Sequence, residues 1–144
     1  MKKKETKGIL FFIDTWNKTL FLKDKKIEDG LDWFLERIER VETLILDLII
    51  QLENANTDVI LGLGLSKFKH REKFRKFAKL HGFEIQLHFL DIPKETRLQR
   101  ILQRNSEKGD TFQFEVSQAD FDFMESRFEK PTAEEMQHGI VVNT

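Results

Sequence analysis

Short, uninterrupted apolar runs alternate with helix-period stretches along this chain, and that alternation constrains its fold more than any other feature. Ile9-Leu10-Phe11-Phe12-Ile13 is apolar throughout, the pattern of a strand covered on both faces rather than of one facing water. A second buried strand is expected over residues 58–63. Ile85, Leu87 and Phe89 alternate in a third that ends at Leu90-Asp91, and Ile140-Val141-Val142 reads as the last. Between them, Leu31, Phe34, Leu35, Ile38, Val41, Ile45, Leu48, Ile49 and Leu52 recur at helical spacing and predict a helix over residues 31–53, started by Asp29 or Asp32. Leu46 and Ile50 widen its stripe, so its second half should be buried more deeply. Shorter helices are expected over 15–22, with Trp16, Leu20 and Phe21, and over 67–81, capped by Ser66, stopped by His81-Gly82 and facing inward with Phe68, Phe74, Phe77 and Leu80. Another should run over 93–106, with Pro93 in its first turn. Ser117-Gln118-Ala119-Asp120 forms a capping box before Phe121, Phe123, Met124 and Phe128, and Thr132-Ala133-Glu134-Glu135 repeats it before a short helix. Strands separated by helices give an α/β chain: a parallel sheet with crossover helices.

The 144 residues suit one domain, read as residues 9–144 after a basic N-terminal extension, 1–8. With 40% apolar residues the chain can build a core, and fourteen Phe without any Tyr place its rings mainly in packing. The absence of Cys excludes disulfides and thiolate metal sites. His70, His81, His88 and His138 have no metal-ligand spacing, and His88 reads as a packed or surface residue. Met1-Lys2-Lys3-Lys4 opens like a signal peptide, but the apolar run from Gly8 to Ile13 is too short to continue one. No stretch approaches the roughly 18 apolar residues of a membrane span. The expected location is cytoplasmic. Net charge is −1 but unevenly placed: residues 67–81 hold seven Lys/Arg against Glu72, and residues 107–135 hold nine Asp/Glu against Lys108, Arg127 and Lys130. Two solvated helices of opposite sign account for this, as does an anionic partner on one face.

In open parallel sheets ligands sit beyond the carboxyl ends of the strands, which singles out Asp14, the stretch Gly62 to Ser66, and Asp91. Asp14 stands where a general base would take a proton from an acceptor hydroxyl, although spacing alone favours it as the cap of the helix at Trp16. Arg97, Arg100 and Arg104 share one face of their helix, suited to clamping a phosphoryl group or to facing water.

Several segments together resemble the small bacterial P-loop ATP-binding proteins related to polynucleotide kinases and zeta toxins. They are Leu31-Asp32-Trp33-Phe34-Leu35-Glu36-Arg37-Ile38-Glu39-Arg40, Val59-Ile60-Leu61-Gly62-Leu63-Gly64-Leu65-Ser66 and Leu87-His88-Phe89-Leu90-Asp91-Ile92-Pro93. The likeness is densest at Arg104-Asn105-Ser106-Glu107-Lys108-Gly109 and Phe112-Gln113-Phe114-Glu115-Val116, and closes with Phe121-Asp122-Phe123-Met124-Glu125 and Phe128-Glu129-Lys130-Pro131-Thr132. The resemblance covers about residues 9–142. It implies a three-layer P-loop-kinase-like architecture, with Asp14 in Ile13-Asp14-Thr15-Trp16 as the family's base, Lys18 as the basic residue after it, and Arg100 and Arg104 on the lid helix, neutralising phosphate charge; Arg97 joins Lys18 as a candidate for phosphate or substrate binding. Intact members use ATP and Mg²⁺.

Two departures stand against the matches. The family opens with a strand, a G-x-x-x-x-G-K-[ST] loop and a helix, whereas only thirteen residues precede Asp14 and Gly8 is their sole glycine. Gly62-x-Gly64-x-Ser66 lacks the Lys and the spacing. Relatives also commonly carry an acidic residue where Gly62 stands, so Gly62 marks either a lost carboxylate or a close-packing position. The missing strand is normally central, between 58–63 and 84–90; unpaired buried backbone groups cost roughly 1–3 kcal/mol each. Direct pairing of those strands, or a second chain in the gap as a homodimer or complementing partner, is therefore expected. The implied protein is an N-terminally truncated kinase-like chain that needs no cofactor and binds ATP poorly alone. The alternatives are an active small-molecule or nucleic-acid kinase completed by an upstream or partner loop, and a binding module using helix 67–81. Nucleic acid is the less expected partner, because the Phe residues of that helix belong to its packed face.

Overall fold

A computed structural model describes residues 7–110 and 115–144. They divide into two compact units, one ending at Gly64 and one beginning at Leu65. Each is a pair of parallel strands joined through helices.

In the first unit, β1 (Ile9–Phe12) leads into α1 (Ile13–Leu20), a short 3-10 turn (Leu22–Asp24), α2 (Leu31–Asn54) and β2 (Val59–Gly62). β1 and β2 pair in parallel, with Ile9 opposite Val59 and Phe12 opposite Gly62. The helix begins earlier than the apolar run suggests: Ile13 turns inward as the first residue of α1, and Asp14 lies in its first turn. A carboxylate there complements the positive end of the helix dipole. Phe12 occupies the N-cap position and no side chain caps it, so Asp14 is not the cap. α2 follows the predicted stripe, but Gly30 holds its N-cap while Asp29 accepts the Lys26 N–H at 2.8 Å. Its buried residues, Val41, Glu42 and Ile45, cluster at the middle of the helix rather than in the second half, where Leu46 and Ile50 are only half-buried. The core of this unit collects Phe11, Ile13, Val41, Ile45 and Leu63, with the Trp16 ring 5.2 Å from that of Phe11.

In the second unit, α3 (Phe68–His81) precedes β3 (His88–Leu90), α4 (Lys94–Glu107), α5 (Gln118–Arg127) and β4 (Ile140–Val142). β3 and β4 pair in parallel, with Phe89 opposite Val141. β3 is shorter than the alternation from Ile85 suggests. The expected pairing of 58–63 with 84–90 is not among the ladders of the described residues: β2 pairs with β1, and β3 with β4. Parallel strands with helical crossovers are present all the same.

α3 is turned differently from expectation. Its buried residues are Arg71, Phe74 and Ala78, at i, i+3 and i+7, whereas Phe68 and Leu80 are exposed. Ser66 does not cap it; Lys67 is the N-cap residue and the Phe68 N–H donates to Glu129 Oε2 at 2.8 Å. Gly82 ends the helix as expected. Pro93 is the N-cap of α4 rather than a residue of its first turn. At α5 the capping box forms as read, the Asp120 N–H donating to Ser117 Oγ at 3.1 Å and the Ser117 N–H to Asp120 Oδ2 at 3.0 Å. Thr132 and Glu135 make the same reciprocal pair, at 3.1 and 3.2 Å, but on a turn, not a helix. Of the phenylalanines, Phe11, Phe74 and Phe121 are buried while Phe12, Phe123 and Phe128 are exposed, so the rings serve packing only in part.

Candidate functional site

The strand ends are where the topology places chemistry. At the end of β1, Asp14 is half-buried and Lys18 exposed, four residues later on the same helix. This spacing puts the carboxylate and the ammonium on one face of α1. The β1–α1 junction contains no loop: Phe12 is both the last strand residue and the helix N-cap.

At the end of β2, a Cβ built on Gly62 would lie 3.0 Å from the Phe12 ring and 3.6 Å from the Phe11 carbonyl oxygen. Gly62 thus stands opposite Phe12 in the ladder at a close approach, which favours the close-packing reading of this glycine.

The arginines of α4 separate into two kinds. Arg97 is half-buried: Nε donates to the Ile92 carbonyl at 2.9 Å, Nη2 donates to Glu125 Oε2 at 2.9 Å, and Nη1 donates to Glu125 Oε1. Its fork is already matched to a carboxylate, which joins α4 to α5, and the hydrogen bond with Glu125 raises the Arg97 pKa. The same bond holds the Glu125 carboxyl below its usual range. Arg100 and Arg104 are exposed on α4. Asn105, beside them, bridges to the Val116 backbone, its Nδ2 donating to the Val116 carbonyl at 2.6 Å and its Oδ1 accepting the Val116 N–H at 3.1 Å. This pins the chain after α4. Of the segments carrying the resemblance, Phe112-Gln113-Phe114 lies outside the described residues.

The uneven charge of the sequence is met within the second unit. Lys67 pairs with Glu129 at 3.2 Å, Arg71 with Glu135 at 2.6 Å, Arg75 with Glu135 at 2.5 Å, and Lys94 with Asp122 at 3.2 Å. Part of the basic helix and part of the acidic segment are therefore each other's partners. Arg71 and Glu135 side chains are each 3% exposed. The Arg71 hydrogen bond draws the Glu135 carboxyl down to about 2, with Thr132 and Arg75 adding to it. Sequence reasoning missed this pair because Arg and Glu on a charged helix read as solvated; the signal lay in the second capping box, whose glutamate does two jobs. The Phe68 N–H and Lys67 likewise hold the Glu129 carboxyl low.

His88 is exposed and bonded to Gln86 at 3.1 Å, and no cluster of potential metal ligands occurs among the described residues. No helix among them is long and apolar enough to cross a membrane.

Comparison with known proteins adds one finding. Curated proteins and solved structures gave no match. The sequence model of an AAA domain family, by contrast, matches residues 8–131, which take in β1, both strand ends and the arginines of α4. The chain belongs to this AAA domain family, whose members are P-loop NTPase-like and kinase-like.

Proposed function

We propose that this chain carries the acceptor and lid side of an ATP-dependent phosphotransferase of the zeta-toxin and polynucleotide-kinase-like kind, and that the 144-residue polypeptide does not by itself hold Mg-ATP tightly. In this reading it is a kinase-like domain whose phosphate loop does not lie within these 144 residues. The observation that carries it is the motif content: G-x-x-x-x-G-K-[ST] occurs nowhere in the 144 residues. A triphosphate needs a nest of backbone N–H groups beside a lysine. The residues present do not fit one, since β1 passes into α1 without a loop and the Phe68 N–H at the start of α3 already donates to Glu129.

In the same reading Asp14 accepts the proton of an attacking hydroxyl, and Lys18, Arg100 and Arg104 offer charge to phosphate oxygens. Arg97 is assigned to phosphate only if it gives up Glu125, so Arg100 and Arg104 are the stronger candidates. A thermal-shift titration with Mg-ATP is expected to leave the melting temperature unchanged. Stabilisation that saturates at micromolar nucleotide would overturn the proposal.

A second reading, favoured by the exposure of Arg100 and Arg104, is a kinase completed by a phosphate loop from upstream of Met1 or from another chain, a second copy included. There Arg100→Ala and Arg104→Ala would each lower phosphoryl transfer in the completed enzyme while leaving stability unchanged. Equal activity of both variants would remove these residues from the site.

A further inference from the structure

We propose that residues 129–135 form a clasp over the short link that leads into α3, latched by the buried Arg71–Glu135 pair. The link has an unusual backbone: Gly64 and Leu65 are consecutive left-handed residues, with φ of +79° and +39°. Gly64 takes that conformation freely, but Leu65 carries a Cβ that crowds the following carbonyl, so its conformation persists only where its surroundings impose it.

The surroundings are specific. The Leu65 carbonyl accepts from Arg71 Nη1 at 2.9 Å, and the Ser66 carbonyl accepts from the Glu129 N–H at 2.9 Å. Lys67 Nζ lies 3.2 Å from Glu129 Oε1, and the Phe68 N–H donates to Glu129 Oε2 at 2.8 Å. Glu135 then holds Arg71 from the other side, at 2.6 Å from Nε and 3.2 Å from Nη2. Glu129 and Glu135 thus grip the link from two points, with Pro131 stiffening the chain between them.

Arg71 is the centre of the device. Its place on the buried stripe of α3 holds the guanidinium between Leu65 and Glu135, and the reciprocal bonds of Thr132 with Glu135 orient the carboxylate. When the clasp opens, Leu65 relaxes, and Lys67 and the first N–H of α3 lose their carboxylate. The clasp therefore sets how the start of this helix is presented, a conformational device independent of nucleotide binding.

Limited trypsin digestion of the full chain tests this, because Lys67 lies inside the link and Arg104 on α4 provides an internal reference. Cleavage after Lys67, relative to cleavage after Arg104, should rise at least tenfold in Glu135→Gln. Since that variant leaves Arg71 buried without its charge partner and can fail to fold, the double variant Arg71→Met/Glu135→Met is the decisive arm. Replacing both charges with apolar side chains of similar length keeps the core filled. It should retain native helix content and a cooperative melt while showing the same tenfold rise. Leu65→Gly should raise the melting temperature of the parent chain by a few degrees but leave that of the double variant unchanged, because the strain is already released. A folded double variant with unaltered relative cleavage would overturn the clasp. So would an equal rise at both sites, or an equal Leu65→Gly shift in both backgrounds.

Discussion

At Arg71 a guanidinium occupies a position on the inward stripe of α3 where an apolar residue would ordinarily stand, and Glu135 makes that tolerable. Removing one partner of a buried pair strands the other charge, which costs about 3–5 kcal/mol. Glu135→Gln should lose roughly that much in urea denaturation, and a loss below about 1 kcal/mol would show that water reaches Arg71. The pair also imposes a pH dependence. The folded pKa of Glu135 is about 2, below its ordinary value of 4.5. Its contribution, on the order of 3 kcal/mol, is therefore complete above about pH 4.5 and disappears as the pH falls through about 2. Parent and Glu135→Gln stability curves should converge across that window, and curves staying parallel down to pH 2 would reject the assignment. The α4 arginines allow a comparison of a different kind. Arg97→Ala should destabilise by about 1–3 kcal/mol through its lost charged hydrogen bonds, whereas Arg100→Ala and Arg104→Ala should stay within about 0.5 kcal/mol. Gly62→Asp would force the Phe12 ring aside and should cost about 1–3 kcal/mol, by thermal denaturation, even though it restores the acidic residue that the family resemblance places there.

On the scale of elements, the capping box of α5 is the local feature best determined by sequence. Ser117→Ala should cost about 1 kcal/mol in chemical denaturation, and no measurable change would mean that α5 is held by packing alone. What was legible follows the range of each signal. α2 could be read because a long apolar stripe repeats over several turns, and the Ser117 cap because its partners lie three residues apart. The strands could be located but not paired, since pairing depends on distant segments: β1 finds β2 across α1 and α2, and β3 finds β4 across α4 and α5. The rotation of α3 was out of reach for the same reason. Phe68, Phe74, Phe77 and Leu80 look like its inner face until Glu135, 64 residues after Arg71, draws the guanidinium inward. The candidate positions were legible without their contacts: Asp14 falls just beyond the end of β1 and Lys18 in the last turn of α1, while Glu125, the partner of Arg97, lies 28 residues away in sequence.

Over the whole molecule, the described residues form two parallel strand pairs, each joined through helices, and the match to the AAA domain family, residues 8–131, takes in β1, β2 and β3 but ends before β4. Family membership brings an expectation of nucleotide binding, and the motif content of the 144 residues opposes it. Under the proposed function the two statements meet in a chain that offers Asp14, Arg100 and Arg104 to the acceptor and lid side, while no G-x-x-x-x-G-K-[ST] loop lies within its 144 residues. Isothermal titration of Mg-ATP into the purified 144-residue polypeptide puts this to the most direct test. The account predicts no binding heat beyond dilution at nucleotide concentrations up to about 1 mM, the weak end of the affinity scale. A saturable isotherm with a micromolar Kd would contradict it.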